Sequence, residues 1–386
     1  MTSRTTNPVT PDLVHGAVDT DVDDTGRLTV HRLPAWARAR GLDPQLATVE
    51  AMPAGVRLRF STAATFVELD AHVTRRRFAG LEPAPAAAVE VLVDGRPHTA
   101  VVPTGGDLLT YDLAAGTVDR TAAATSPVVV GDLPAGPKTV EVRLPHGELV
   151  ALGALRTDAP VAPVPPQHGR RWVHHGSSIS QGSNAADPSD AWPVLAADLA
   201  GLDLTNLGFG GSAMLDPFVA RTMRDLPADL LSVAAGINIV GGDTMRMRTF
   251  VPLLHGFLDT LRDGHPDTPL LVVTPILCPM HEDVPGPSSM DPGAFAAGRV
   301  RYTATGDPAE VARGRLTLRT VREATAEVVA VRADPHLHLV DGTSLYGEAD
   351  TDQHPLPDGL HPDAATQRLV GRRFADVLSR GGLPGS

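Results

Sequence analysis

A serine, a histidine and an aspartate are spaced in this chain as acyl chemistry would require. The segment Gly176-Ser177-Ser178-Ile179-Ser180-Gln181-Gly182 follows the apolar-aromatic pair Trp172 and Val173. A strand ending in such a small-residue turn holds a serine hydroxyl clear of the sheet, where a substrate carbonyl can reach it. A serine hydroxyl is a weak nucleophile at its free pKa and needs a base. Asp358-Gly359-Leu360-His361-Pro362 supplies one, with a carboxylate three residues before the imidazole. In that arrangement Ser178 attacks an acyl carbon, His361 takes its proton and Asp358 holds the ring in the right tautomer. The attack leaves negative charge on the former carbonyl oxygen, which needs donors already aimed at it. Asn206-Leu207-Gly208-Phe209-Gly210-Gly211 and Gly236-Ile237-Asn238 each follow an apolar run and contain suitable small or amide residues. The candidate donors are the Ser178 and Gly211 backbone amides and the Asn238 side-chain amide, one donor being worth about 10²–10³ in rate.

These four segments, in this order, resemble the sequence blocks of the SGNH (GDSL-type) hydrolase superfamily. Gly176 to Gly182 matches the first block, with Ser178 at the nucleophile position. Asn206 to Gly211 matches the second, with Gly211 at the backbone donor, and Gly236 and Asn238 match the third. Asp358 and His361 match the fifth. Two positions depart from the pattern: Ser177 stands where the family usually has Asp, and Ile239 where Asp commonly follows the third-block Asn. The resemblance runs from Gly169 to Leu378. It implies a flavodoxin-like α/β domain, a serine acyl-enzyme and no bound cofactor.

The elements needed to position these residues are visible in the hydrophobic pattern. Apolar runs at Arg171–His175, Leu204–Gly208, Leu230–Ala235, Leu270–Ile276 and Leu337–Val340 alternate with helical stretches. The helices stand out at Ala191–Ala200, Arg246–Arg262, Pro308–Val331 and Asp363–Leu378. That alternation predicts a parallel sheet wrapped by helices, with ligands bound beyond the carboxyl ends of the strands. Pro279–Gly298 shows no periodicity and is read as a lid or an acceptor-contact loop.

The first part of the chain reads as β. Val56–Phe60, Phe66–Asp70 and Val140–Leu144 alternate with period two, and Val89–Val93 runs into Asp94-Gly95, a strong hairpin signal. Short strands at this spacing suggest a sandwich of jelly-roll type. Thr157–Pro166 holds four prolines in ten residues and reads as a stiff, extended linker. The expected organisation is therefore an all-β sandwich over 1–156, a linker over 157–168 and the catalytic domain over 169–386.

Composition narrows the function further. A net charge of −12 argues against nucleic acid or an anionic membrane as partner, because their phosphates would be repelled. Arg75-Arg76-Arg77 is the one dense basic cluster, read as a solvated loop or edge rather than a phosphate site. Cys278 is the only cysteine, which excludes an intramolecular disulfide and a thiolate metal cluster; it reads as a buried filler. No apolar stretch reaches membrane-spanning length, and the N-terminus has no apolar signal core, so a cytoplasmic location is expected. His174 and His175 are read as packing at the strand end. His336, His338 and His354 lack a fixed ligand spacing, so no metal is expected. Asp341 is read as structural, because Asp358 has the better spacing from His361.

Water as acceptor makes such an enzyme an esterase, and an alcohol makes it a transferase. A β-sandwich followed by a proline-rich segment and an SGNH domain resembles acyltransferases that tailor tetracyclines. That resemblance implies a small-molecule acyl donor and a hydroxylated acceptor: an aromatic or short acyl group passes from acyl-CoA, as co-substrate, to a natural-product hydroxyl. The architecture also resembles carbohydrate esterases, although three Trp and three Tyr leave few rings for a sugar platform. A third reading, a binding protein with a decayed site, is opposed by the presence of Ser178, Asp358 and His361 together.

Overall fold

The alternating segments of the first part of the chain form strands, and their apolar faces close on one another. The computed structural model describes residues 4–112, 115–166 and 169–380. A six-stranded sheet runs in the order Val161–Pro163, Arg57–Thr62, Lys138–Arg143, Val89–Val93, Arg96–Val101, with Val14–His15 also on Arg57–Thr62. An eight-stranded sheet centres on Val67–Phe78 and Leu149–Thr157. Leu58, Phe60, Val91, Val140 and Val142 of the first share one buried core with Leu69, Ala71, Val73, Val150 and Leu152 of the second. The result is a β-sandwich. Asp94 and Gly95 take φ of 49° and 76°, the left-handed pair that a tight hairpin requires.

Two sequence readings change here. The proline-rich segment is extended, but it is not a free spacer: Val161–Pro163 pairs antiparallel with Arg57–Thr62. Thr62 Oγ1 donates to the Pro160 carbonyl at 2.9 Å, and Arg59 Nη1 to that of Pro165 at 3.0 Å. Proline is tolerated there because an edge strand has amides that need no partner. Residues 167–168 of the expected linker, and 381–386 of the expected catalytic domain, lie outside the described residues. The second change concerns the division of the chain. One compact unit comprises Met1–Pro34, Thr48–Gln167 and Ala186–Ser189; the other comprises Ala35–Ala47, His168–Ala185 and Asp190–Ser386. Ala35–Ala47 thus belongs with Ser178 and His361, despite lying far ahead of them in sequence. Arg75, meanwhile, is committed to Glu148 and to the carbonyls of Pro103 and Gly105, a structural use of the basic cluster.

The second unit is built on five parallel strands: β1 (Arg171–Gly176), β2 (Asp203–Gly208), β3 (Leu230–Ala234), β4 (Leu270–Val273) and β5 (Leu337–Val340). Their order is β2-β1-β3-β4-β5, the flavodoxin-like arrangement. The central strands are buried along nearly their whole length because helices cover both faces, and the polar side chains within them, His174, His175 and Ser232, are buried with them. Helices α1 (Ser178–Gln181), α2 (Trp192–Ala200), α3 (Pro217–Asp225), α4 (Ile237–Gly241), α5 (Met247–Gly264), α6 (Leu318–Arg332) and α7 (Ala364–Arg380) follow in turn. Trp172 of β1 is fully buried and stacks on Phe374 of α7 at a centroid distance of 5.4 Å, with Trp192 of α2 packed edge-on against Phe374 at 4.9 Å. Such aromatic pairs contribute about 0.5–1.5 kcal/mol beyond the area they bury.

The helix expected over Pro308–Val331 is interrupted. A short 3₁₀ turn at Pro308–Arg313 ends at Gly314 with φ of 91°, and α6 then starts afresh from Thr317, whose hydroxyl caps the Thr320 amide. Pro279–Gly298 likewise carries structure that its lack of periodicity concealed. Ser288–Met290 pairs with Tyr302–Ala304, and Pro292–Ala296 is a helical turn capped by Asp291. His281 is buried and bonds Ser288 Oγ at 2.7 Å. Gly286 lies so close to the Val240 carbonyl of α4 that a Cβ there would collide with it. The segment is docked beside α4.

Candidate active site

The nucleophile turn is shaped by glycine and by buried polar bonds. A Cβ on Gly176 would strike the Ser180 side chain, so β1 can turn directly into α1 only with glycine there. Ser177 is extended, and its hydroxyl accepts from the Ile179 amide at 3.3 Å, which caps α1 where the family commonly has Asp. Beneath the turn, His174 bonds Ser180 Oγ at 2.8 Å and Ser232 Oγ at 2.7 Å, and Trp172 Nε1 donates to Ser232 Oγ at 2.8 Å. Burial, aided by the neighbouring His175, pushes His174 down to about 3, so the ring is a neutral strut. Gln367 of α7 donates to the carbonyls of Ile179 and Ser183 and ties α1 down from the far side.

Ser178 Oγ stands 2.9 Å from His361 Nε2, and His361 Nδ1 stands 2.7 Å from Asp358 Oδ2. The other carboxylate oxygen accepts from the backbone amides of Leu360 at 2.9 Å and His361 at 2.7 Å. Gly359, with φ of 80°, lets this turn close on itself. Burial by itself would raise the Asp358 carboxyl. The imidazole bond, the imidazole charge and the two amides outweigh burial and hold Asp358 below the usual carboxylate range. Asp341 is used elsewhere: it caps the turn Gly342–Leu345 through the Thr343 amide at 3.0 Å.

The three candidate donors come from three strand ends. Gly210 packs against the nucleophile, since a Cβ there would lie 3.5 Å from Ser178 Cβ. Its amide donates to Gln181 Oε1 at 2.8 Å. Gly211 follows with φ of 74°, a conformation that glycine adopts freely. Asn238 lies in α4, and its Oδ1 accepts from the Ala213 amide at 3.1 Å. With that oxygen engaged, the NH₂ end is the one that matches the proposed donor role. Gly236 has φ of 145°, and a Cβ on it would lie 2.6 Å from Pro275.

Two residues that sequence reasoning passed over also belong here. Tyr302 donates its amide to the Asp358 carbonyl at 2.8 Å and sets its ring edge-on to His361 at 5.8 Å. Gln45 donates from Nε2 to the Gly210 carbonyl at 2.8 Å. Neither carries a local signal, because a lone tyrosine opening a three-residue strand and a glutamine in a short helix are common in any chain. Cys278 is buried with Sγ 3.5 Å from the Gly359 carbonyl, and burial pushes its thiol up to about 12, consistent with a filler. An apolar cavity lies against α1, lined by Ile179, Ala235, Ile237, Ile276, Cys278 and Val370. Among the described residues, no group of three or more His, Cys, Asp or Glu side chains is placed to hold a metal ion. No helix among them is long and apolar enough to cross a membrane.

This sheet order, with a serine, an Asp-x-x-His segment and amide donors at its strand ends, defines an SGNH-type α/β enzyme. Residues 175–369, half of the chain, match the GDSL-like Lipase/Acylhydrolase family, and the chain belongs to that family. Its fold is similar along 99% of both chains to the salicylyl-acyltransferase SsfX3 from a tetracycline biosynthetic pathway, with TM-score 0.79 and 25% identity. It is also similar to a protein from Bacteroides ovatus described as a GDSL-like lipase, with TM-score 0.69 and 19% identity over 98% of each chain. A family two carbohydrate esterase from Cellvibrio japonicus shares the fold at TM-score 0.58 and 14% identity, again over 98% of each chain. A comparison with curated proteins gave no match.

Proposed function

We propose that this protein is an O-acyltransferase that works through an acyl-serine. The observation that carries the reading is the hydrogen-bonded chain from Ser178 Oγ through His361 to Asp358. In the first half-reaction Ser178 attacks the carbonyl of an acyl-CoA thioester and gives its proton to His361 Nε2. Asp358 stabilises the imidazolium, and the oxyanion is met by the Ser178 and Gly211 amides and the Asn238 NH₂. Collapse expels the thiol, which takes the proton back from His361. In the second half-reaction His361 deprotonates an acceptor hydroxyl, which attacks the acyl-serine; the acyl–Oγ bond breaks, Ser178 Oγ takes the proton back from His361, and the ester is released.

Transfer rather than hydrolysis is favoured by the likeness to SsfX3, which extends over both units of this chain at 25% identity. We extend its salicylyl-transfer chemistry to this protein as an aromatic or short acyl group moved to a hydroxyl of a natural product such as a tetracycline. To outpace water at about 55 M, the site must hold the acceptor hydroxyl in attacking position, where effective molarities reach roughly 10⁵ M or more. The test is product analysis with an acyl-CoA panel, with and without hydroxylated acceptors, together with the mass of the acylated protein. Acyl-Ser178 and an acceptor ester are expected. Hydrolysis of every thioester and ester offered, with no acceptor product, would instead support a carbohydrate or small-molecule esterase.

A further inference from the structure

The loop that carries Gly211 is held by a residue 165 positions away, in a segment that sequence reading assigned to the other domain. Gln45 belongs to Ala35–Ala47, within the same compact unit as Ser178 and Gly211. Its Nε2 donates to the Gly210 carbonyl at 2.8 Å. That carbonyl and the Gly211 N–H are opposite ends of one planar peptide group. A donor on the oxygen therefore sets the direction of the N–H, and it polarises the group so that the N–H donates more strongly. The need for such a hold follows from the sequence: a peptide between two glycines has little steric resistance to turning over. If it turned over, a carbonyl would face the position where the oxyanion forms.

The surroundings keep Gln45 in place. Asp43 Oδ1 accepts from the amides of Gln45 at 3.0 Å and Leu46 at 3.1 Å, capping the helix Pro44–Glu50, and Leu46 is buried. Trp36 lies under the Arg221 guanidinium of α3 at 4.7 Å. A Cβ on Gly211 would lie 3.4 Å from Gln45 Nε2 and 3.5 Å from its Cγ, so the glutamine side chain covers residue 211 on that side. On the other flank the Gly210 amide is held by Gln181. The peptide is thus pinned by one glutamine before it and one across it.

We infer that Gln45 is a positioning residue for the reaction, aligning the Gly210–Gly211 peptide so that the Gly211 amide points at the oxyanion. This rests on the reading of Ser178 as nucleophile and Gly211 as donor. Gln45 is solvent-exposed, so its bond competes with water and the expected effect is severalfold.

The experiment compares Gln45→Met, Gln45→Glu and Gln45→Lys with the wild-type protein and with Ser178→Ala. Burst-phase acylation by an activated ester gives kcat and KM. Inhibition by an alkylboronic acid, whose tetrahedral adduct places an oxygen in the oxyanion position, gives complementarity to the transition state. Gln45→Met should lower acylation kcat about threefold to tenfold. KM and melting temperature should hold, and boronate affinity should fall by the same factor. Gln45→Glu, which puts an acceptor against the Gly210 carbonyl, should be worse, and Gln45→Lys, which restores a donor, should recover most of the loss. Wild-type kcat and boronate affinity in Gln45→Met would overturn the inference. So would a loss that follows melting temperature and is not recovered by Gln45→Lys. Ser178→Ala separates the two levels: if it abolishes the burst while Gln45→Met is silent, only the role of Gln45 falls. If Ser178→Ala keeps the burst, the acyl-serine reading fails first.

Discussion

The acid–base side of the site and its oxyanion side are built on different principles. Asp358 and His361 stand three residues apart, and the carboxylate bonds both the ring and two amides of its own turn. Only Ser178 must be brought from elsewhere. The proposed oxyanion side draws Gly211 and Asn238 from the ends of two strands, with Gln181 and Gln45 bonding the neighbouring Gly210 and the Ala213 amide bonding Asn238. A short segment can carry proton transfer almost by itself. Electrostatic stabilisation of a transient charge needs donors converging from several directions, which makes it a property of the whole unit.

The electrostatics follow the same division. Asp358 is held below the ordinary carboxylate range. Asp216, which follows the oxyanion loop at the start of α3, is pushed up to about 6 by burial, with the Asp43 charge adding to the effect. The first therefore adds stability above its unfolded value, and that stability is lost as pH falls through its lowered folded value. For the second, the folded state keeps a proton that the unfolded chain releases, so stability falls as pH rises from about 4 to 6 and the full cost is present above.

Substitutions on each side test these contrasts. The largest effect is expected from Ser178→Ala and His361→Ala, each lowering acylation by about 10⁶-fold with an unchanged melting curve. Wild-type turnover in purified Ser178→Ala would remove the acid–base side altogether. Asp358→Asn should cost less, about 10⁴-fold, because a base remains without its orienting carboxylate. An inactive Asp341→Asn beside a silent Asp358→Asn would move the acid to Asp341. On the oxyanion side, Asn238→Ala should cost about 10²–10³ in kcat with little change in KM. A change confined to KM would mean that Asn238 binds substrate rather than the oxyanion. The smallest effect is thermal: Asp216→Asn should raise the melting temperature by about a degree or two at pH 8 and should not raise it at pH 4. An equal gain at both pH values would show that the carboxylate charge is not the cause.

How much of this was legible in the sequence differs between the two sides. The turn Gly176–Gly182, the Asp358–His361 spacing, the five strand runs and the sandwich strands were readable because each is a local pattern. A strand alternates or stays apolar within five residues, and a cap or hairpin needs only its neighbours. The readings that changed depended on breaks or on partners. Gly314 and Thr317 reset a helix that periodicity would have run through, and Val161–Pro163 joined a sheet although its prolines signalled a linker. Pro279–Gly298 owes its order to contacts with α4 that no window of the segment contains.

From the amino-acid sequence came the side chains able to do the chemistry, the strands that end at them and the family to which the chain belongs. Only folding brings Gln45 to the Gly210 carbonyl, Tyr302 against His361 and Ala35–Ala47 into the unit that holds Ser178. The difference is one of range. Backbone propensity, capping and the Asp-x-x-His turn act across a few residues, whereas a peptide plane held by a glutamine 165 positions away exists only once the chain has folded.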